Sequence, residues 1–377
     1  MKNWTGIFGQ HSVIEILDRL IESSYIPHAL LFTGLSGVGK EFMAIRFAQA
    51  LNSQDQPIEN QERISNFIGN FAEPYIKYIL PLPRGKNEND TSGPFEKLSA
   101  EENELYWEEL NKKIRNPYYK IEMQRAATIK ISSIRDIKKF ISMSYDEINY
   151  RIILISDAHL MNEEAQNALL KNLEEPPEGI IFILCTPFPN LLRETIRSRC
   201  WQISFQPLEN KDIKQILAEY FSVDNLLAEE VAPFAGGSVA TALKLLDQDF
   251  ELLRDRTIYI LRYSFGRKYH SALSEFNNIL ADNSADALRL LVQMIVKWLI
   301  DLQKFKYGAE DFYFTKHIET LEKFSKRFPD VDLQSTIFKL DRMASLIQNN
   351  INQNLILLNI ILELSALTTP QLAKVSS

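Results

Sequence analysis

The apolar positions of this sequence follow two periods that alternate along the chain. Residues 152–155 and 180–184 are short, isoleucine-rich apolar runs bounded by polar residues, which is typical of buried parallel strands. Between them apolar residues recur at helical spacing until Pro176 and Pro177, which cannot continue a helix. A strand, a crossover helix and a second strand predict a βαβ unit of an α/β domain. The predicted inner face of the helix consists of Met161, Ala165, Ala168, Leu169 and Leu173.

A second strand-and-helix pattern lies near the N-terminus. A helical period over residues 8–24 is followed by an apolar strand at 27–32, a glycine-rich loop with the spacing G-x-x-x-x-G-K, and a further helix. This is the context of a P-loop, in which backbone N–H groups, the helix N-terminus and a lysine bind phosphates. The candidate loop residues are Gly34, Gly37, Gly39, Lys40 and Glu41.

Glu41 departs from the P-loop pattern, because this position should carry Ser or Thr, whose hydroxyl binds Mg²⁺. We expect the carboxylate to fold back onto Lys40, which would weaken nucleotide binding. Two interpretations stay open at this point. One is a relic loop that keeps its turn but has lost its metal ligand, and the other is a loop that binds ATP or ADP weakly without hydrolysis.

The apolar period breaks over residues 52–116, where Asn, Gln, Asp and Glu are dense. Loops are expected there, apart from an acidic helix at 99–114 that begins with a capping box of Ser99 and Glu102. We expect residues 84–93 to form a mobile surface loop.

The remainder of the chain is predicted to be mainly helical. A strand is expected at 126–131 and a helix at 134–144. After Pro207 the helical period continues, and the segment 351–367 is apolar on nearly all sides, so it is expected to be buried. The other helices predicted in this part are 211–221, 226–234, 239–246 and 285–305.

Composition limits the function classes. A length of 377 residues predicts two or three domains, and a net charge of −7 argues against a chain that binds polyanions over its whole surface. The two cysteines, Cys185 and Cys200, exclude a disulfide framework and a four-cysteine zinc site. No histidine has metal-ligand spacing, so no metal site is expected. Because the sequence has neither a signal-peptide pattern nor a run of ~20 apolar residues, we expect a cytoplasmic protein with no membrane partner.

The segment NALLKNLEEPPEG, followed by IRSRC, resembles the bacterial clamp-loader branch of the AAA+ proteins. The resemblance implies a RecA-like α/β P-loop domain over residues 1–205, a small helical lid over 206–249 and an all-α oligomerisation collar over 250–377. Members of this branch commonly carry a four-cysteine zinc module in the region that corresponds to the variable insert at 52–120. This chain has no cysteine there, so we expect no zinc.

The resemblance also implies roles for single residues. Arg199, in the triplet with Ser198 and Cys200, matches the arginine that enters a neighbouring subunit's ATP site and stabilises charge on the γ-phosphate. Ser156 and Asp157 match the Asp-Glu pair that binds Mg²⁺ and polarises water in active members. In the alternative alignment Asp157 is the metal ligand and an alanine replaces the glutamate, so one carboxylate is missing in either case.

Two further departures lie around the same implied nucleotide site. Pro187 matches the polar sensor threonine, although Thr186 could replace it, and Ala240 matches the arginine of the lid motif G-x-x-R-x-A-L. These losses favour a non-catalytic subunit of the DNA polymerase III clamp loader, which completes a hetero-pentamer and supplies Arg199 during DNA replication. No cofactor and no intrinsic ATPase activity are then required, although the chain would belong to a DNA polymerase complex.

The alternative is an active ATPase motor subunit of the same clamp loader, which the intact Gly34, Gly39 and Lys40 favour. Both interpretations imply the same partners. These are the other motor subunits and the clamp-opening subunit, with the sliding clamp and primer-template DNA contacted through the complex.

Overall fold

The computed structural model describes residues 4–23, 25–53, 57–85, 92–143, 145, 147–279, 285–347 and 353–369. The chain divides into two compact units. The first consists of Met1–Ala232 with Gly236–Thr241, and the second of Pro233–Ala235 with Ala242–Ser377. The division of the chain at 205 and 249 that the resemblance implies stays a prediction.

The first unit contains a five-stranded parallel sheet with the order β2-β3-β4-β1-β5. β3 and β4 pair directly, with Arg151 opposite Ile180, and β1 lies on the other side of β4. The predicted βαβ unit and the α/β P-loop class are therefore confirmed. The strands are β1 (Ala29–Thr33), β2 (Ile76–Ile79), β3 (Arg151–Ile155), β4 (Ile180–Thr186) and β5 (Trp201–Ser204).

Helices surround this sheet, and α7 is the crossover between β3 and β4. Asn162 caps its first turn by accepting a hydrogen bond from the Ala165 backbone, and the helix ends before Pro176 as predicted. Met161 lies just before the helix rather than in it. The helices are α1 (His11–Ser23), α2 (Lys40–Ser53), α3 (Ile58–Gly69), α4 (Ala100–Arg115), α5 (Ile131–Arg135), α6 (Ile137–Ser142), α7 (Glu163–Glu174), α8 (Glu194–Arg197), α9 (Asn210–Phe221) and α10 (Asn225–Val231).

The region 52–116 is more regular than its polar composition predicts. It contains α3 and β2 in addition to the expected α4, whose capping box of Ser99 and Glu102 is present. β2 is an edge strand of only four residues, and its burial comes from pairing with β3 rather than from a long apolar run. Residues 86–91 of the expected mobile loop lie outside the described residues.

One predicted strand and one predicted helix need correction, and a further strand is present that the pattern did not predict. Residues 126–131 are not a strand, because only Ile129 makes a bridge, to Met161, and Ile131 already begins α5. The predicted helix at 134–144 is instead divided between α5 and α6, and residue 144 lies outside the described residues. β5 was not predicted, since Ile203 is its single buried residue and an exposed edge strand has no apolar run.

In its described residues the second unit consists of helices joined by short connections and contains no strand, as predicted. α17 is not buried on all sides, however: Leu355, Leu358 and Leu362 are 43–55% exposed. They share one helix face, while Ile360 and Leu364 on the opposite face are buried. α11 (Val239–Asp247) begins in the first unit. The helices of the second unit are α12 (Phe250–Phe265), α13 (Tyr269–Ile279), α14 (Ala285–Lys306), α15 (Ile318–Arg327), α16 (Leu333–Leu346) and α17 (Gln353–Ala366).

Candidate functional site

The glycine-rich loop joins the carboxyl end of β1 to the first turn of α2. Gly34, Gly37 and Gly39 all have positive φ angles, of 136°, 76° and 89°, which favour glycine. A side chain at Gly37 would also collide with the backbone, since its Cβ would lie 2.4 Å from the nitrogen of Ala240. The P-loop turn predicted from the glycine spacing is therefore present.

Lys40 is buried and points back at its own loop. Its Nζ donates hydrogen bonds to the carbonyl oxygens of Gly34, at 2.9 Å, and Leu35, at 2.6 Å. Burial lowers the pKa of this lysine. The expected fold-back of Glu41 onto Lys40 is wrong, because Glu41 binds other groups. Consecutive residues at the start of a helix project in different directions and do not face each other.

Glu41, in the first turn of α2, is the centre of a network with side chains from α4, from β2 and from the residue that follows β3. Its Oε2 lies 2.8 Å from Nζ of Lys113 and accepts a hydrogen bond of 3.0 Å from the hydroxyl of Tyr78. The hydroxyl of Ser156 donates to Oε1. Burial by itself would raise the pKa of Glu41, but the charge of Lys113 and these hydrogen bonds lower it to about 2. The carboxylate is therefore ionised, and both of its oxygens are bonded within the chain.

Lys113 was not among the residues that the sequence singled out. It lies in α4, is 4% exposed, and also donates to the carbonyl oxygens of Pro117, at 2.9 Å, and Tyr119, at 2.7 Å. All three N–H groups of the ammonium therefore have an acceptor. The helical period could have indicated that Lys113 is buried, because it falls on the same face of α4 as the buried Tyr106 and Leu110.

Asp157 is paired with a second lysine from the same region. Its Oδ2 lies 3.1 Å from Nζ of Lys120, and its backbone has a positive φ of 45° at the end of β3. Burial alone would lower the pKa of Lys120, but Asp157 raises it above the ordinary value. Ser156 and Asp157 thus lie beside the P-loop as predicted, and both are bound to side chains of this chain.

Tyr118 lies between these two lysines in sequence and packs on the loop. Its ring carbon Cε1 would be 3.2 Å from a Cβ at Gly39, and its hydroxyl donates to the carbonyl oxygen of Gly6 at 3.1 Å. The ring also packs against Phe42 and Tyr220, with centroid distances of 5.5 and 5.1 Å. An aromatic cluster therefore covers the first turn of α2.

Residues at the implied lid and sensor positions also form hydrogen bonds within the chain. Ser238, just before α11, donates a hydrogen bond of 2.8 Å to the carbonyl oxygen of Ser36, which places Ala240 against the loop. Thr186 is fully buried, and its hydroxyl accepts from the backbone of Phe188 and is 3.1 Å from Nδ1 of His159. Thr186 is thus bonded inside the protein, next to Pro187, which has no donor.

The donor set does not fit a magnesium–nucleotide complex. Mg²⁺ requires oxygen ligands in near-ideal octahedral geometry and usually retains several waters. Here the carboxylate at Glu41 is already bound to an ammonium, and the hydroxyl of Ser156 is directed at that carboxylate. Among the described residues, no group of three or more His, Cys, Asp or Glu side chains is placed to hold a metal ion.

Arg199 lies in the short turn between α8 and β5. Its side chain is 36% exposed, and its guanidinium donates to the carbonyl oxygen of Thr195, at 3.0 Å, and to Oε1 of Glu174, at 2.9 Å. Ser198 also donates to Thr195. Cys200 is buried, as expected, and burial raises the pKa of its thiol to about 12. The role of Arg199 in a neighbouring ATP site stays a prediction.

Comparisons with known proteins show the family to which this sequence is related. The family described as "DNA polymerase III, delta subunit" matches residues 9–209, which is more than half of the chain, and its C-terminal counterpart matches residues 260–366. The DNA polymerase III tau subunit of Bacillus subtilis (strain 168) is 26% identical over 303 residues, which cover 78% of this chain and 46% of that protein. This chain therefore spans less than half the length of that relative.

A shorter relative matches over nearly the whole chain. The DNA polymerase III gamma subunit of Buchnera aphidicola subsp. Schizaphis graminum is 25% identical over 364 residues, covering 94% of this chain and 86% of that protein. A gamma subunit-related protein from Thermotoga maritima has a TM-score of 0.42 at 16% identity, covering 94% of this chain and 99% of that one. In the described part of the chain, no helix is long and apolar enough to cross a membrane. The chain belongs to the DNA polymerase III delta subunit family.

Proposed function

We propose that this chain is a non-catalytic subunit of the DNA polymerase III clamp loader that corresponds to the delta-prime subunit. The main observation in support is that Glu41 and Ser156 bind each other where an active ATPase would hold Mg²⁺. Arg199, in contrast, remains half-buried at the surface. Such a chain would contribute to ATP hydrolysis in a neighbouring subunit without hydrolysing ATP itself. It would act in the cytoplasm.

The environment of Arg199 suits a residue that is to enter another subunit's site. Its charged partner within the described part of the chain, Glu174, is 51% exposed, and exposed ion pairs contribute only ~0–1 kcal/mol. Exchanging that pair for the γ-phosphate of a bound ATP would therefore cost little. A guanidinium offers a planar set of donors that matches phosphate oxygens, and an arginine supplied in trans accelerates phosphoryl transfer strongly.

The proposal includes a set of partners. The chain would complete a hetero-pentamer with motor ATPase subunits and the clamp-opening subunit, and the helices of its second unit would form part of an oligomerisation collar. Contact with the sliding clamp and with primer-template DNA would be made through this complex.

The test is ATP turnover with Mg²⁺, measured for the purified chain alone and after mixing with its motor subunit. We expect no turnover by the chain alone and stimulation in the mixture. Arg199→Ala should reduce the stimulated rate at least about tenfold, because the trans arginine is lost.

Arg197→Ala is the matched control, since Arg197 lies two residues away and its guanidinium donates a long hydrogen bond, of 3.4 Å, to the neutral side chain of Asn190. It should leave stimulation unchanged. Turnover by the chain alone that disappears in Lys40→Ala would overturn the proposal in favour of a motor ATPase. Equal losses in Arg199→Ala and Arg197→Ala would refute the role of Arg199.

A further inference from the structure

We propose that Lys113 is an internal cation that replaces Mg²⁺ in this P-loop, and that the segment 113–120 closes the site to magnesium–nucleotide. The residues therefore disagree with the cofactor that the P-loop fold implies. This inference concerns the chain's own site and does not depend on the role proposed for Arg199.

The first step is an exchange of ligand types between two elements. In P-loop NTPases a hydroxyl at the start of the helix and a carboxylate at the end of a neighbouring strand both serve Mg²⁺. Here the carboxylate, Glu41, is on the helix and the hydroxyl, Ser156, directly follows the strand β3, and the hydroxyl donates directly to the carboxylate. The two groups keep their proximity but bind each other.

The second step is the identity of the cation. Nζ of Lys113 is 2.8 Å from Oε2 of Glu41, and its two other acceptors are the carbonyl oxygens of Pro117 and Tyr119. An ammonium that is 4% exposed and bonded to three oxygens is a built cation site, with the cation attached to the chain. A metal ion at this carboxylate would have to displace it.

The third step is the covering of the loop by the same segment. The chain continues from Lys113 to Tyr118, whose ring packs on Gly39, and then to Lys120, which pairs with Asp157. One segment of eight residues thus provides a partner for each carboxylate and a ring over the loop. A magnesium–nucleotide would require all three contacts to separate.

The fourth step is electrostatic. The amino groups of Lys40, Lys113 and Lys120 surround two carboxylates, so the site already carries more positive than negative charge. A bare Mg²⁺ ion would add further positive charge here, which is costly, so the electrostatics argue against a metal ion held by the protein alone. The exclusion of magnesium–nucleotide rests on the contacts of Lys113, Tyr118 and Lys120 described above.

The experiment combines calorimetry with a double-mutant cycle on the full chain. Titration of the wild-type chain with ATP, in MgCl₂ and separately in EDTA, should give no saturable binding with a Kd below about 1 mM. Saturable, Mg²⁺-dependent binding would overturn the inference. Either result leaves open whether Arg199 stimulates a motor subunit, so failure here is distinguishable from failure of the proposed function.

The cycle tests Lys113 itself. Lys113→Met should lower the Tm by more than about 5 °C, since it leaves a buried carboxylate without its cation. Adding Glu41→Gln should restore most of the loss, because the uncompensated charge is then removed. The matched control is Lys211→Met, which removes an exposed lysine of the same unit whose partner Glu209 is also exposed, and it should have little effect. Equal effects of Lys113→Met and Lys211→Met, or no rescue by Glu41→Gln, would overturn the inference.

Discussion

The P-loop end of the sheet and the turn that carries Arg199 differ in how far their charged side chains are buried and in how they are paired. At the P-loop, Glu41 is 18% exposed and its partners come from α4, β2 and β3 of the same chain. In the turn, Arg199 is 36% exposed, and its charged partner is itself half-exposed. In the first region the carboxylate of Glu41 is bonded to groups of its own chain. In the second region Arg199 is a cation that a partner subunit can reach.

The difference follows from the cost of burial. A buried carboxylate is tolerated only when its charge and lone pairs are met, so every contact of Glu41 is a constraint on the fold. A surface guanidinium has water as an alternative partner, so its ion pair is weak and exchangeable. Changes at the two regions should therefore differ in size, and three measurements can test this contrast.

The largest expected effect is on the pH dependence of stability. The folded-state pKa of Glu41 is lowered from 4.5 to about 2, so its contribution is present above pH 4.5 and is lost as the pH falls toward 2. Between pH 5 and 2, the wild type should lose up to ~3 kcal/mol more free energy of unfolding than Glu41→Gln. Urea denaturation at several pH values measures this.

The comparison with the variant is needed because other carboxylates titrate in the same range. All the groups that interact with Glu41 are retained in Glu41→Gln; they are Lys113, Tyr78, Ser156, Lys40, Lys120 and Cys185. Glu175→Gln removes an exposed carboxylate instead and should give the wild-type profile. Parallel profiles for wild type and Glu41→Gln would show that the network contributes nothing.

A smaller effect is expected for Tyr78→Phe. The variant removes the hydroxyl that donates to Oε2 of Glu41 but keeps the ring, which stacks on Phe71 at a centroid distance of 4.5 Å. A hydrogen bond to a charged group contributes ~1.5–3 kcal/mol, so unfolding should become easier by about that amount. Chemical denaturation at neutral pH gives the value. Tyr25→Phe is the control at an exposed tyrosine, and an equal change in both would contradict the network.

The smallest effect is expected in the arginine turn. Glu174→Gln removes the carboxylate partner of Arg199 and should change the free energy of unfolding by less than ~1 kcal/mol, because the pair is exposed. The same denaturation assay applies. A loss as large as that of Tyr78→Phe would mean that the turn is as tightly integrated as the P-loop, and the contrast between the regions would fail.

Much of the first unit could be predicted from local pattern. The β3–α7–β4 unit and the β1–loop–α2 unit could be predicted because their strands are short, apolar and almost fully buried, α7 has one apolar face, and the glycine spacing marks the loop. The strands that were missed, β2 and β5, lie at the edges of the sheet. An edge strand has one neighbour and can be short and polar, so its sequence carries little periodic signal.

The sequence predicted which residues form the candidate site, but it did not predict which of their side chains pair with one another. Gly34, Gly37, Gly39, Lys40, Glu41, Ser156 and Asp157 do come together. The partner of Glu41 was assigned to the adjacent Lys40, whereas it is Lys113, which is far away in sequence. The polarity of the region 52–116 also concealed that α4 directs a lysine into the site.

The sequence by itself determined the strand-and-helix order, the P-loop turn and the positions at which an ATPase signature is missing. These properties depend on period, glycine content and residue type, all of which are local. The tertiary structure alone decided which charges meet. Glu41, Tyr78, Lys113 and Ser156 come from four separate elements, and only packing of α4 against the sheet brings their polar atoms within hydrogen-bond distance. Desolvation there makes each pairing obligatory, and residue type alone does not reveal desolvation.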